Sequence, residues 1–258
     1  MDDTYEEDEG DSVCKELHRL QRRKFDTKGF HREQDFRSWS WAFQILWRYT
    51  SMDTFVINLD SRPDRWKNIQ QRFRSKQFKL RRFTPIEASN PQYSLLLTTI
   101  EILKIAKKEG LTNILILEDD CLPVNLKIWP KIKTWLSAHK DKWDIYSGGA
   151  QNIYFPNPVG EIGEIKFYDP VWSTAAHFVY VPRRSYNKVI NCYSRFSSLT
   201  SFVPLITIDI HNNFLKTIIS YPFVAYQDSG YSNLSKTRRN RKKDFRKAEK
   251  GLSDIDDK

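Results

Sequence analysis

At 54–60, TFVINLD, a short hydrophobic run ends in polar residues and reads as a buried strand. Ser61-Arg62-Pro63-Asp64 follows as a turn with a helix start, and RWKNIQQRFRSK continues it as a helix with a basic face. KLRRFTPI, 79–86, is a second strand candidate. Over 93–110, Leu96, Ile100, Leu103 and Ile105–Ala106 recur at helical spacing and Gly110 supplies a stop. NILILEDD then forms the third strand. Strand, helix, strand, helix, strand in this order argues for an α/β fold with a central, mostly parallel sheet and crossover helices.

Downstream the pattern predicts a helix over LKIWPKIKTWLSAH interrupted at Pro130, and a short strand in WDIYSGG, 143–149. STAAHFVYVP, 173–182, reads as a strand and RSYNKVINCYS as a helix. LITIDIHNNFLK, 205–216, reads as a strand running into a helix, and SYPFVAYQD, 220–228, closes the folded part.

The ends differ in character. Residues 1–11 carry seven acids and no base, too acidic and too poor in apolar residues to order themselves. Val13, Leu17 and Leu20 then recur at helical spacing, and WSWAFQILWRYT, 39–50, reads as a helical segment that docks on the main domain. Residues 236–250 carry nine bases and two acids and read as the core of a flexible basic tail. The expected organisation is an extension over 1–51, a catalytic domain over 52–230 and a tail over 231–258. The two ends cancel in charge, so the net +10 of the 258-residue chain belongs to the middle and suggests anionic partners. Aromatic residues at 14% supply much of the core. Three scattered cysteines imply neither a disulfide framework nor a zinc site. With no secretory leader or membrane-length apolar run, the expectation is a soluble cytoplasmic protein.

The chemistry concentrates at ILILEDDCLP, 114–123, where four aliphatic residues run into Glu118, Asp119 and Asp120. Ligands in open α/β sheets sit beyond the carboxyl ends of strands. Residues i and i+2 of an extended chain share a face, so Glu118 and Asp120 can converge on one site. Hard divalent cations take such oxygen ligands, often one or two carboxylates together with substrate phosphates. The bland reading is a strand end meeting solvent. A Walker B strand is excluded, because no phosphate-binding G-x-x-x-x-G-K-[ST] lies upstream.

Its company decides the reading. FVINLDSRPDRW (55–66), RRFTPIEAS (81–89), a helix before ILILEDDCLP, and WDIYSGGAQ occur in an order that resembles glycosyltransferase family 25. That family includes lipooligosaccharide and collagen galactosyltransferases and homologues from large DNA viruses. The match is good from Met52 to Ala150; STAAHFVYV, TIDIHNNFL and AYQDSGYS match more loosely. Where members commonly carry Ser-His, this chain has Thr98-Thr99, and a frequent Gly-Thr pair reads Ser173-Thr174. These departures leave sugar and acceptor open.

The resemblance implies a GT-A fold and an inverting transfer from a nucleoside diphosphate sugar, UDP-linked in expectation, to a hydroxyl of a glycan or protein. The leaving group is a diphosphate, which calls for Mn²⁺ or Mg²⁺. Asp120 is the expected metal ligand, with Glu118 assisting through water, the ribose or the metal, and Asp119 turned the other way to orient neighbouring donors. Asn58 and Leu59 offer backbone groups to the nucleotide, and Arg62 and Arg65 reach for the diphosphate or pair with Asp60 or Asp64. Asp209 is the expected general base and His211 a further metal ligand. His177 reads as a satisfied core histidine, Trp66 as core, and Gly148-Gly149 as a close approach to sugar or a turn. The basic tail suggests contact with polyanions or an acidic membrane surface. The competing classes are a metal-dependent nuclease or phosphatase and a nucleic-acid-binding protein.

Overall fold

The run after Ser51 forms β1 (Met52–Ile57), followed by α1 (Pro63–Arg72), β2 (Phe78–Phe83), α2 (Pro91–Lys108) and β3 (Asn113–Glu118). β2 and β3 both pair with β1 in parallel. The computed structural model describes residues 51–174, 176–202, 208, 212–232 and 237–256. All of these lie in the compact unit Ser51–Lys258. The docking segment expected at 39–50 lies outside the described residues.

Then come β4 (Cys121–Pro123), α3 (Trp129–Ala138), β5 (Ile145–Ser147), β6 (Asn152–Ile162), β7 (Ile165–Thr174), β8 (Phe178–Pro182) and α4 (Tyr186–Phe202). β9 (Thr217–Tyr221), β10 (Ala225–Gln227), β11 (Gly230–Ser232), β12 (Thr237–Arg239) and α5 (Arg241–Asp256) complete the described chain. Eight strands form one sheet in the order β2-β1-β3-β8-β5-β9-β7-β6. β8 is antiparallel to both β3 and β5, and β7 to both β9 and β6. Only β8 and β7 therefore run against the common direction, and the α/β fold with a mostly parallel sheet stands.

Side chains alternate across the central strands and build two cores. Phe55, Ile57, Ile114, Ile116, Val179 and Val181 meet α2 and α4 on one face. Val56, Leu115, Leu117, Phe178 and Tyr180 meet α1 and α3 on the other. Trp129 is fully buried there, edge-on to Phe178 and Tyr180. Continuous aliphatic runs are what a strand covered on both faces requires. α2 starts where Asn90 accepts a hydrogen bond from the Tyr93 amide at 2.9 Å, and the chain leaves it through Gly110 at φ 70°.

Four features differ from, or go beyond, the sequence reading. Pro130 does not interrupt a helix: it occupies the first turn of α3, where its missing N–H breaks no intrahelical bond. The strand read over 173–182 is two strands, since β7 ends at Thr174 and β8 begins at Phe178. The β6–β7 hairpin was not legible because Pro156, Pro158 and Pro170 argue against a strand; β6 tolerates proline as the outermost strand of the sheet.

The fourth concerns the basic tail. From Arg241 to Asp256 the chain is helix α5, with Phe245 and Leu252 buried against Tyr168, Ile219, Phe223 and Tyr226. Glu249 accepts hydrogen bonds from the Phe223 amide at 2.7 Å and from the Tyr226 hydroxyl. Two apolar residues seven apart, among many lysines and arginines, are enough to seat an amphipathic helix.

Candidate functional site

β3 ends at Glu118, and the next two residues turn into β4, which pairs antiparallel with β10. That pairing sets Gln227 opposite Cys121 and beside the acidic triplet. The glycines before β6 make it possible. A Cβ on Gly149 would stand 2.3 Å from the Ala225 carbonyl oxygen, and one on Gly148 would enter the Phe178 ring. Their close approach is to the protein's own Phe178 and Ala225, a packing role that neither the sugar nor the turn reading had given them.

The three carboxylates separate by role. Asp119 is buried and held from two sides, by Asn58 Nδ2 at 2.8 Å and by Arg65 Nη1 at 2.6 Å. Asn58 is itself saturated: its amide also donates to the Arg62 carbonyl at 3.0 Å and accepts from Arg82 Nε at 2.8 Å. The Asn58 side chain thus braces the strand ends. Leu59 is partly exposed, and its carbonyl accepts from the Arg62 amide and from Arg82.

Asp120 is different. Its Oδ2 accepts from Gln227 Nε2 at 3.2 Å, while Oδ1 is buried with no hydrogen-bond partner among the described residues. Burial first, and then the adjacent Asp119 charge, push its carboxyl up to about 6, against the pull of Arg65, Gln227 and Arg241. Glu118 Oε2 lies 3.4 Å from the same Gln227 nitrogen, so residues 118 and 120 face one point. No cluster of three or more His, Cys, Asp or Glu side chains suited to a metal occurs among the described residues. Glu118 and Asp120 supply two.

Two cavities share this wall. One, about 190 Å³, is polar and lined by Arg62, Arg65, Arg72, Asp228 and Arg241. The other, about 140 Å³, is lined by Ile57, Leu59, Pro85, Pro91 and Leu95. Arg65, Asp119, Asp120 and Gln227 border both. Arg62 forms a forked pair with Asp64 at the rim, at 3.0 and 2.9 Å, as the alternative reading of that arginine expected. Asp228 bridges Arg72 and Lys242. Burial would raise its carboxyl, but the hydrogen bonds from Lys242 and Arg72 outweigh it and leave it below the ordinary range.

Asp209 and His211 lie outside the described residues. His177 is fully buried; its Nε2 meets the Ala225 carbonyl at 3.1 Å and its Nδ1 has no partner among the described residues. Burial lowers it to about 4, so it is a neutral core histidine. Thr98 and Thr99 are buried on α2 and hydrogen-bond to the Ser94 and Leu95 carbonyls. Trp66 is partly buried against the core. The site residues that the sequence did not single out are Arg72, Gln151 and Arg241, while Gln227 and Asp228 fell in the loosely matched AYQDSGYS without a role. They come from distant elements, and no local spacing marks them.

No family model matches the chain, and no curated protein matches it. Solved structures with similar shape include mannose-1-phosphate geranyltransferase from Thermus thermophilus, at 8% identity, TM-score 0.37, over 66% of this chain and 73% of that one. A glycosyltransferase involved in glycosylation of the major capsid of PBCV-1 matches at 11% identity, TM-score 0.38, over 64% and 74%. Apo UDP-glucose pyrophosphorylase matches at 9% identity, TM-score 0.37, over 79% and 82%. At such scores no residue's role in this chain follows from them. No described helix is long and apolar enough to cross a membrane.

Proposed function

We propose that this protein is a metal-dependent, inverting glycosyltransferase of the GT-A type, moving a sugar from a UDP-linked donor to a hydroxyl of a glycan or protein. The observation that carries the reading is the buried Asp120 Oδ1, without a hydrogen-bond partner among the described residues, in a residue just past β3 that borders an arginine-lined cavity. A buried carboxylate oxygen without a donor is costly unless a cation meets it. The donor set is hard oxygen, which fits Mn²⁺ or Mg²⁺, ions that commonly use few carboxylates and complete their shell with substrate phosphate and water.

Asp120 would hold the ion, Glu118 would assist, and His211 is proposed as a further ligand. The bound ion supplies Lewis-acid neutralisation of the charge that grows on the leaving diphosphate. The chain's own groups do the rest. The apolar cavity takes the nucleoside between Ile57, Leu59 and Leu95, beside backbone groups of Asn58 and Leu59. Arg62 and Arg72 donate to diphosphate oxygens. Arg65 and Asn58 hold Asp119, which keeps the strand end rigid. Asp209 takes the proton from the acceptor hydroxyl as it attacks C1 from the face opposite the diphosphate.

The test is a melting-temperature screen of UDP-sugars and UDP with and without Mn²⁺. Stabilisation by nucleotide that is larger with Mn²⁺ than without it is expected in the wild type, with loss of that Mn²⁺ dependence in Asp120→Asn. Binding of UDP-sugars that ignores Mn²⁺ would overturn the metal assignment. Cleavage of DNA or of phosphate monoesters, with no response to nucleotide sugars, would replace the reading with a nuclease or phosphatase.

A further inference from the structure

A chain of hydrogen bonds runs from the C-terminal helix to the carboxylates. Arg241 Nη1 donates to Gln151 Oε1 at 2.9 Å, and Gln151 Nε2 donates to Gln227 Oε1 at 3.2 Å. Gln227 Nε2 then donates to Asp120 Oδ2 at 3.2 Å and, more weakly, towards Glu118 Oε2 at 3.4 Å. Each end of this chain has only one polarity. A guanidinium has only donors, and an ionised carboxylate only accepts. If either glutamine turned over, a donor would face a donor and an oxygen would face an oxygen. Both amides therefore have one orientation, and Arg241 sets it.

The far end is anchored. Phe245 and Leu252 bury α5 against the sheet, and Glu249 ties it to Phe223 and Tyr226. At the near end, Gln227 occupies Asp120 Oδ2 and leaves Oδ1 to meet a cation singly.

We propose that Arg241 is a positioning residue for the metal-binding carboxylates, acting through Gln151 and Gln227, so that the C-terminal helix is part of the site. The proposal rests on the metal reading of Asp120. Groups that orient a metal's ligands typically change metal affinity by about 10–100-fold when removed. Arg241→Met, which keeps an unbranched stem and removes the donor, is expected to weaken Mn²⁺ binding by that order. Arg241→Lys restores one donor and should recover most of it. Gln151→Glu still accepts from Arg241 but cannot donate to Gln227, so it should match Arg241→Met.

The measurement is calorimetric titration of the full chain with MnCl₂ alone, beside Asp120→Asn. The side-chain amide resonances of Gln151 and Gln227 are followed in metal-free protein. Arg241→Met is expected to move the Gln227 amide resonances without metal, as is Asp120→Asn. Wild-type Mn²⁺ affinity in both Arg241→Met and Gln151→Glu, with loss in Asp120→Asn, would reject the relay and leave the metal site standing. Unchanged affinity in Asp120→Asn, or no binding by the wild type, would reject the metal site itself. Gln227 resonances that ignore Arg241→Met would reject the relay without reference to metal.

Discussion

Replacing Asp120 by asparagine should stabilise the metal-free protein near pH 7.5 relative to its effect at pH 4. Burial and the Asp119 charge hold the Asp120 carboxyl at about 6 in the folded chain, against 3.8 as the ordinary value. Because the folded state binds this proton more tightly, the group favours folding below about pH 4. That contribution fades as pH rises through 6, leaving an ionised carboxylate that opposes folding at neutral pH. A gap of roughly two units corresponds to about 3 kcal/mol. Asp120 is only partly buried by surface exposure, so about 2 kcal/mol is the more realistic size. The new amide at Oδ1 has its own desolvation penalty, about 1–3 kcal/mol, but that penalty is the same at both pH values. The difference between the two pH values therefore isolates the titration. Urea unfolding in EDTA at pH 4 and 7.5 measures it, and melting should follow at about 2–4 °C per kcal/mol for a chain of this size. Saturating Mn²⁺ should reverse the order, stabilising wild type by about 2.7 kcal/mol at a hundredfold excess over Kd and leaving the variant unmoved. An equal effect of the substitution at both pH values would show that Asp120 does not hold its proton in the fold, and the burial argument would fail.

Three further outcomes follow from the packing. Phe245→Ala removes a fully buried ring stacked on Tyr226, with centroids 5.4 Å apart. It should cost about 3–5 kcal/mol in chemical unfolding. Deleting 241–258 should be more damaging still, and a truncated protein that melts like the full chain would show that α5 does not support the fold. Gly149→Ala forces a methyl group onto the Ala225 carbonyl, a backbone atom that cannot swing aside. It should push β10 from β4, destabilise the fold, and weaken Mn²⁺ binding through the displaced Gln227; wild-type stability and affinity would contradict that packing.

Much of the architecture was determined by the sequence alone. The apolar runs at 55–57 and 114–117 read as strands buried on both faces, and the apolar spacing of 96–106 before Gly110 marks α2. The acidic triplet announced itself because three carboxylates at the end of a buried strand are chemically conspicuous. Their division of labour did not. Glu118 and Asp120 share a face by backbone geometry, yet only the fold brings Asn58 and Arg65 to Asp119 and leaves Asp120 Oδ1 without a partner among the described residues. Gln227 reaches Asp120 through the pairing of β10 with β4 across more than a hundred residues, and Arg241 reaches it through Gln151. The same gap explains the tail. Charge dominates the composition of 236–250, so Phe245 and Leu252 carry too little signal alone; their burial depends on a surface built by β9, β10 and the residues between them. Local chemistry determines which elements form and where charge gathers. Which charges are neutralised, and by whom, is decided by contacts between residues that the chain keeps far apart.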